Sequence, residues 1–166
     1  MKFSQTISDS VFSLEKGLVV ILIPAMLLAM VFDIFFRYFL NSPLVWAQEI
    51  ALYTFVWSSF LGASMSIKVK EAVAVTLFID KMPSKIRNVL ILVGLIASTI
   101  FAIYIFYLSI TWIMDPSILL QKTITTQIPI VYMYLSIPIS LLFMSVHFIH
   151  WFIEAIRISK DGKVIT

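Results

Sequence analysis

Residues Asn88 to Met114 read NVLILVGLIASTIFAIYIFYLSITWIM, 27 consecutive positions without a charged side chain. As a helix rising about 1.5 Å per residue this stretch is roughly 40 Å long, more than the roughly 30 Å of hydrocarbon in a bilayer. A charge at the bilayer centre costs about 2.5 to 3.5 kcal/mol on insertion scales, so uncharged runs mark the interiors of spans and charges mark their edges. Toward the N-terminus a second run extends from Ile50 to Ile67, between Glu49 and Lys68. A third extends from Gly17 to Phe32, after which Asp33 and Arg37 lie at the headgroup level and the helix ends near Phe36. Toward the C-terminus the run after Lys122 continues to Ile153. Asp115-Pro116-Ser117 and Thr123 to Gln127 read as loop, so the last helix starts near Pro129, whose missing N–H is harmless in a first turn.

These runs predict an all-α integral membrane protein with four transmembrane helices, at about 17–36, 47–67, 88–114 and 129–155. The membrane domain 17–155 lies between an N-terminal segment 1–16 and a tail 156–166. The third span exceeds the bilayer and should tilt or protrude. Between the second and third spans, Ala72 to Ile79 is apolar and flanked by Lys70-Glu71 and Asp80-Lys81. Eight residues cannot cross a bilayer, so this piece reads as a short arm lying at the interface or against a partner protein. The first apolar run is full length and lacks a small-x-small site at its end, so no cleavable signal is expected.

Composition agrees. Of 166 residues, 61% are hydrophobic and 13% charged, against about half and about a quarter in soluble domains. The excess must face lipid or apolar protein. Four glycines without a Gly-rich run exclude a phosphate-cradling loop, and the absence of cysteine excludes disulfides, Cys-ligated zinc, iron–sulfur clusters and thiol catalysis. The net charge of +3 needs no nucleic-acid partner. Ten of the twelve Lys and Arg residues flank the chain termini or join spans two and three, and only Arg37 and Lys122 lie in the other connections. By the positive-inside rule both termini are cytoplasmic.

The densest polar cluster at a membrane edge is Asp33 to Glu49. Asp33 and Arg37 are i,i+4 neighbours, and Glu49 opens the next helix after an Asn41-Ser42-Pro43 turn. The favoured reading is an internal clasp in which two carboxylates satisfy Arg37 and fix the hairpin while Tyr38 and Trp46 anchor the interface. The alternative makes them ligands for a coupling ion or an anionic substrate. In the second span Ser58, Gly62 and Ser66 recur every four residues and read as a seam where helix backbones approach closely. His147 and His150, the two histidines, could suggest haem or metal; one helix face offers no clamp across a bundle, and interfacial hydrogen bonding is favoured. None of the nine acidic residues lies at a span midpoint, where an ion-coupled carrier usually keeps an ionisable site. No catalytic, cofactor or metal site is therefore expected, and the chain reads as a non-enzyme.

The run Arg37-Tyr38-Phe39-Leu40-Asn41, then Trp46-Ala47-Gln48-Glu49, then Phe55-Val56-Trp57 with Phe60-Leu61-Gly62-Ala63, resembles the small membrane (Q) subunit of tripartite ATP-independent periplasmic (TRAP) transporters. Gln127-Ile128-Pro129 through Ile137-Pro138 is similar to the entry to that family's last helix. Gln48 stands at the first of the family's paired Glu positions, and Ala72 and Thr76 stand where His and Asp are frequent. The resemblance implies a bacterial inner-membrane scaffold for a large permease (M) subunit and, through it, a periplasmic substrate-binding protein, importing organic acids such as C4-dicarboxylates or sialic acids with sodium. Asp33, Arg37, Asn41, Trp46, Glu49, Trp57, Ser58, Gly62 and Ser66 are the structural and interface candidates, and membrane lipids are further partners. A self-sufficient small exporter acting as a dimer is the alternative, but it needs a carboxylate deep in the first span, and Asp33 is too near its end. A membrane enzyme or haem-bearing anchor ranks third.

Overall fold

The computed structural model describes residues 2–69 and 83–160, and the apolar arm expected at 72–79 lies outside them. Helix α1 spans Lys2–Phe39, α2 Val45–Val69 and α3 Ser84–Ile113. Two single-turn helices follow, α4 at Pro116–Leu119 and α5 at Val131–Tyr134, before α6 at Ser136–Lys160. Among the described residues four helical stretches are long and apolar enough to cross a membrane, at 4–39, 45–69, 86–113 and 131–158. The protein is an all-α, multi-pass membrane protein.

The first helix starts far upstream of the expected span. Residues 2–16 carry charges that lipid would not accept, yet they continue the helix because Ser4, Ser8, Asp9 and Glu15 find partners on α2 and α6. At its other end the amides of Leu40 and Ser42 both reach the Phe36 carbonyl, at 3.1 and 3.2 Å. Asn41 then takes a left-handed φ of 50°. Asn tolerates that conformation where most residues are strained, and Pro43 cannot resume the helix at once. The last span is divided between α5 and α6. Pro138 has no N–H to offer the Tyr134 carbonyl, so the ladder is interrupted at Leu135 and resumes with Ile139 donating to Leu135 at 3.2 Å.

Helix α6 is the hub: α3 packs chiefly against it, α2 packs on another side, and the N-terminal part of α1 reaches it as well, while α1 and α2 form an antiparallel hairpin. The start of α1, the end of α2, the start of α3 and the end of α6 share one end of the bundle. The α1–α2 turn and the 114–130 connection share the other, where the Trp112 and Tyr134 rings meet at 4.6 Å. The helices touch through small side chains: Ala29, Ala47 and Ala51 between α1 and α2, and Ala102 and Ala155 on α3 and α6. Large apolar side chains such as Val20, Ile21, Ile100, Phe101 and Tyr107 point outward. Inverting the soluble pattern in this way suits helices that associate by close packing within a solvent as apolar as their own surface.

The inward face of α2 carries Ala47, Ala51, Leu61 and Ser64, and none of Ser58, Gly62 and Ser66 is among these buried residues. A Cβ added at Gly62 would meet nothing within 4 Å among the described residues, so no described backbone of this chain approaches there. The Ser58 and Ser66 hydroxyls donate to carbonyls of their own helix, Phe55 at 3.0 Å and Ala63 at 2.8 Å.

Candidate functional site

Polar chemistry is concentrated at the two ends of the bundle. At the hairpin end the centre is Asp33, 6% exposed. Its Oδ2 accepts from Arg37 Nη2 at 2.5 Å and from Gln48 Nε2 at 3.1 Å, and its Oδ1 accepts from the Leu44 amide at 2.9 Å. That last bond caps the start of α2. The clasp therefore has one carboxylate with three donors, and Glu49 takes no part in it. Successive helical residues point about 100° apart, so Gln48 faces α1 while Glu49 faces the connection before α5.

Glu49 organises that connection. Its Oε1 accepts from the Thr125 amide at 2.9 Å, and its Oε2 accepts from the Thr126 amide at 2.9 Å and the Thr126 hydroxyl at 2.5 Å. Across the loop Thr123 N donates to Ile128 O at 2.9 Å and Ile130 N to Gln121 O at 3.0 Å, while Gln127 takes a left-handed φ of 55°. Tyr53 and Trp57, one and two turns after Glu49 on the same face of α2, donate to the carbonyls of Pro129 at 3.2 Å and Tyr132 at 2.9 Å. Glu49, Tyr53 and Trp57 thus form one row that docks residues 125–132 against α2. Nearby, Asp115 caps α4 by accepting from the Ser117 amide at 2.8 Å, and the Ser117 hydroxyl and then this amide hold its carboxyl below the usual carboxylate range. The rim is apolar and open: Tyr38, Phe39 and Ile124 are exposed, as is Trp46 in part.

At the terminal end a second polar system, absent from the expected site, joins three helices. His147 is fully buried, with Nδ1 sharing a hydrogen bond with the Ser8 hydroxyl at 2.9 Å and Nε2 lying 3.1 Å from Glu15 Oε2. His150 contacts the Ser4 hydroxyl at 3.3 Å and Glu154 at 3.5 Å, and Lys68 pairs with Asp9 at 2.7 Å. The Trp151 indole donates to the Ile67 carbonyl at 3.0 Å. The histidines are thus bundle-interior partners of α1 rather than surface groups. The available signal was the spacing of Ser4, Ser8 and Glu15, which share one face of a helix if the helix is continued upstream of Gly17. Among the described residues no three His, Asp or Glu side chains are grouped as a metal site.

A bundle whose hydrogen-bonding groups close its two ends, and whose middle is apolar and turned outward, defines an integral membrane protein shaped to pack against lipid and other helices. The chain belongs to the DctQ component family of tripartite ATP-independent periplasmic transporters, whose family model matches residues 5–158. It is 34% identical over 80 residues to the sialic acid TRAP transporter small permease protein SiaQ of Vibrio cholerae, covering 48% of this chain and 46% of that one. It is 29% identical over 91 residues to the C4-dicarboxylate TRAP transporter small permease protein DctQ of the same organism, covering 55% and 39%. These matches thus take in less than half the length of either relative. It is also 24% identical over 157 residues to the isethionate TRAP transporter permease protein DctMQ of Oleidesulfovibrio alaskensis, covering 91% of this chain and 25% of that much longer one.

Proposed function

We propose that this chain is the non-enzymatic small subunit of a sodium-coupled importer of organic acids, of the C4-dicarboxylate or sialic acid type, and that it scaffolds a large permease subunit in a bacterial inner membrane. The observation that carries this reading is the match of nearly the whole chain to one quarter of a longer permease protein. A segment that is joined to a larger permease in one polypeptide is well placed to sit beside one as a separate chain. The geometry supports the same division of labour. Glu15 and Asp33, the buried carboxylates of α1, are 18 residues apart, about 27 Å at 1.5 Å per residue, so they lie near opposite membrane edges with no charge between them except Lys16 beside Glu15. An ion or acid carried by this chain alone would need a polar site nearer the midplane.

Both termini face the cytoplasm in this proposal, which places the Glu49-held loop on the periplasmic side, where a substrate-binding protein would approach. The test is reconstitution. Liposomes holding this chain alone should accumulate neither C4-dicarboxylate nor sialic acid under an inward sodium gradient, and adding the large permease and its substrate-binding protein should give uptake. Sodium-driven uptake by the isolated chain would overturn the scaffold reading.

A further inference from the structure

Between α1 and α2 a cleft of about 590 Å³ opens outward, a volume in the usual range of small-molecule sites. Its walls are Met26, Met30 and Ile34 of α1 and Leu52 and Phe55 of α2, and Arg37 stands at its hairpin end. It exists because the two helices meet through Ala47 and Ala51, which leave a shallow floor between longer flanking side chains. Met30, Ile34, Leu52 and Phe55 are each about half exposed, so the groove is open along its length.

Three observations indicate what fills it. Arg37 and Met26 are 11 positions apart on α1, about 16 Å at 1.5 Å per residue, which matches one leaflet of a hydrocarbon core about 30 Å thick. Second, Tyr38, Phe39 and Trp46 are exposed around the polar end, in the position of an interfacial aromatic belt. Third, Asp33 accepts from three donors, whereas Arg37 gives it one N–H and keeps a side chain 47% exposed. Guanidinium carries five N–H donors and a permanent charge, so its remaining donors meet the headgroup layer, where phosphate is the matching anion.

We infer that the α1–α2 cleft binds one glycerophospholipid, with its phosphate on Arg37 and an acyl chain lying along Met26, Met30 and Ile34 opposite Leu52 and Phe55. The inference rests on membrane placement and is independent of what is transported. It is tested on the full chain by native mass spectrometry in mild detergent, after delipidation and titration with phosphatidylglycerol. One tight equivalent should bind, and Arg37→Gln should weaken it about tenfold or more, as loss of a charge-assisted hydrogen bond does. Arg37→Lys should restore part of the affinity. Because Arg37→Gln also disturbs Asp33, Ile34→Trp provides a second arm that narrows the groove with the clasp intact and should likewise lower lipid occupancy. Undiminished binding in both variants, equal binding of phosphate-free diacylglycerol, or loss of the lipid when a large permease subunit docks would each overturn the proposal, the last by assigning the groove to a protein helix.

Discussion

At the scale of single residues, the contrast between Gln48 and Glu49 carries most of what the hairpin end teaches. The two are neighbours in sequence, but one caps the Arg37 clasp through Asp33 and the other anchors a loop 76 residues away. The Asp33–Arg37 pair was legible in the sequence because i,i+4 spacing on a helix is a local rule. The partner of Glu49 was not, because nothing local says which way an acidic residue at a helix start turns. Gly62 illustrates the same limit, since small residues every four positions mark a possible close approach but not a neighbour. Glu49→Ala should leave the Thr125 and Thr126 amides without their acceptor. The expected result is faster hydrogen exchange at those two amides with the helices still protected, and a smaller effect for Glu49→Gln, which keeps one acceptor oxygen. Unchanged exchange in Glu49→Ala would show that the loop holds its shape through Tyr53, Trp57 and its own cross-loop bonds alone.

At the scale of elements, the N-terminal part of α1 is the main departure from a reading based on uncharged runs. Counting charges locates the lipid-facing core of a span well, and the four spans were recovered that way. It cannot locate the end of a helix whose charged residues are satisfied by other helices. Glu15 and His147 are 132 positions apart, and only their burial together reveals the pair that fastens α1 to α6. Leaving a buried polar group without its hydrogen-bond partner typically costs about 1–3 kcal/mol, because that group stays away from water unpaired. His147→Ala should therefore lower the melting temperature in detergent far more than His150→Ala, whose contacts at 3.3 and 3.5 Å are longer and partly exposed. The first variant should also increase exchange across residues 4–15. Equal melting temperatures for the two would mean that α1 is held mainly by Asp9–Lys68 and by its packing on α2.

At the scale of the whole molecule, apolar surface is turned outward and polar closure is kept for the two ends, so the fold makes sense only with those ends on opposite sides of a bilayer. Gln5 near the start of α1 and Ser117 on α4 are separated by α1, α2 and α3, and both are exposed. Three crossings put them on opposite faces. Which face is which is expected from the distribution of basic residues along the sequence, ten in the terminal segments and the connection between the second and third spans against Arg37 and Lys122 in the other connections. That asymmetry predicts cytoplasmic termini, because cationic segments resist translocation. The chain contains no cysteine, so single substitutions can be read against a silent background. In intact cells with a permeabilised outer membrane, Ser117→Cys should react with a membrane-impermeant maleimide, and Gln5→Cys should react only after the inner membrane is opened. Labelling of both sites from outside would break the three-crossing arrangement itself. The reverse pattern would keep the bundle but invert it, moving the Glu49-held loop and the Arg37 cleft to the cytoplasmic leaflet.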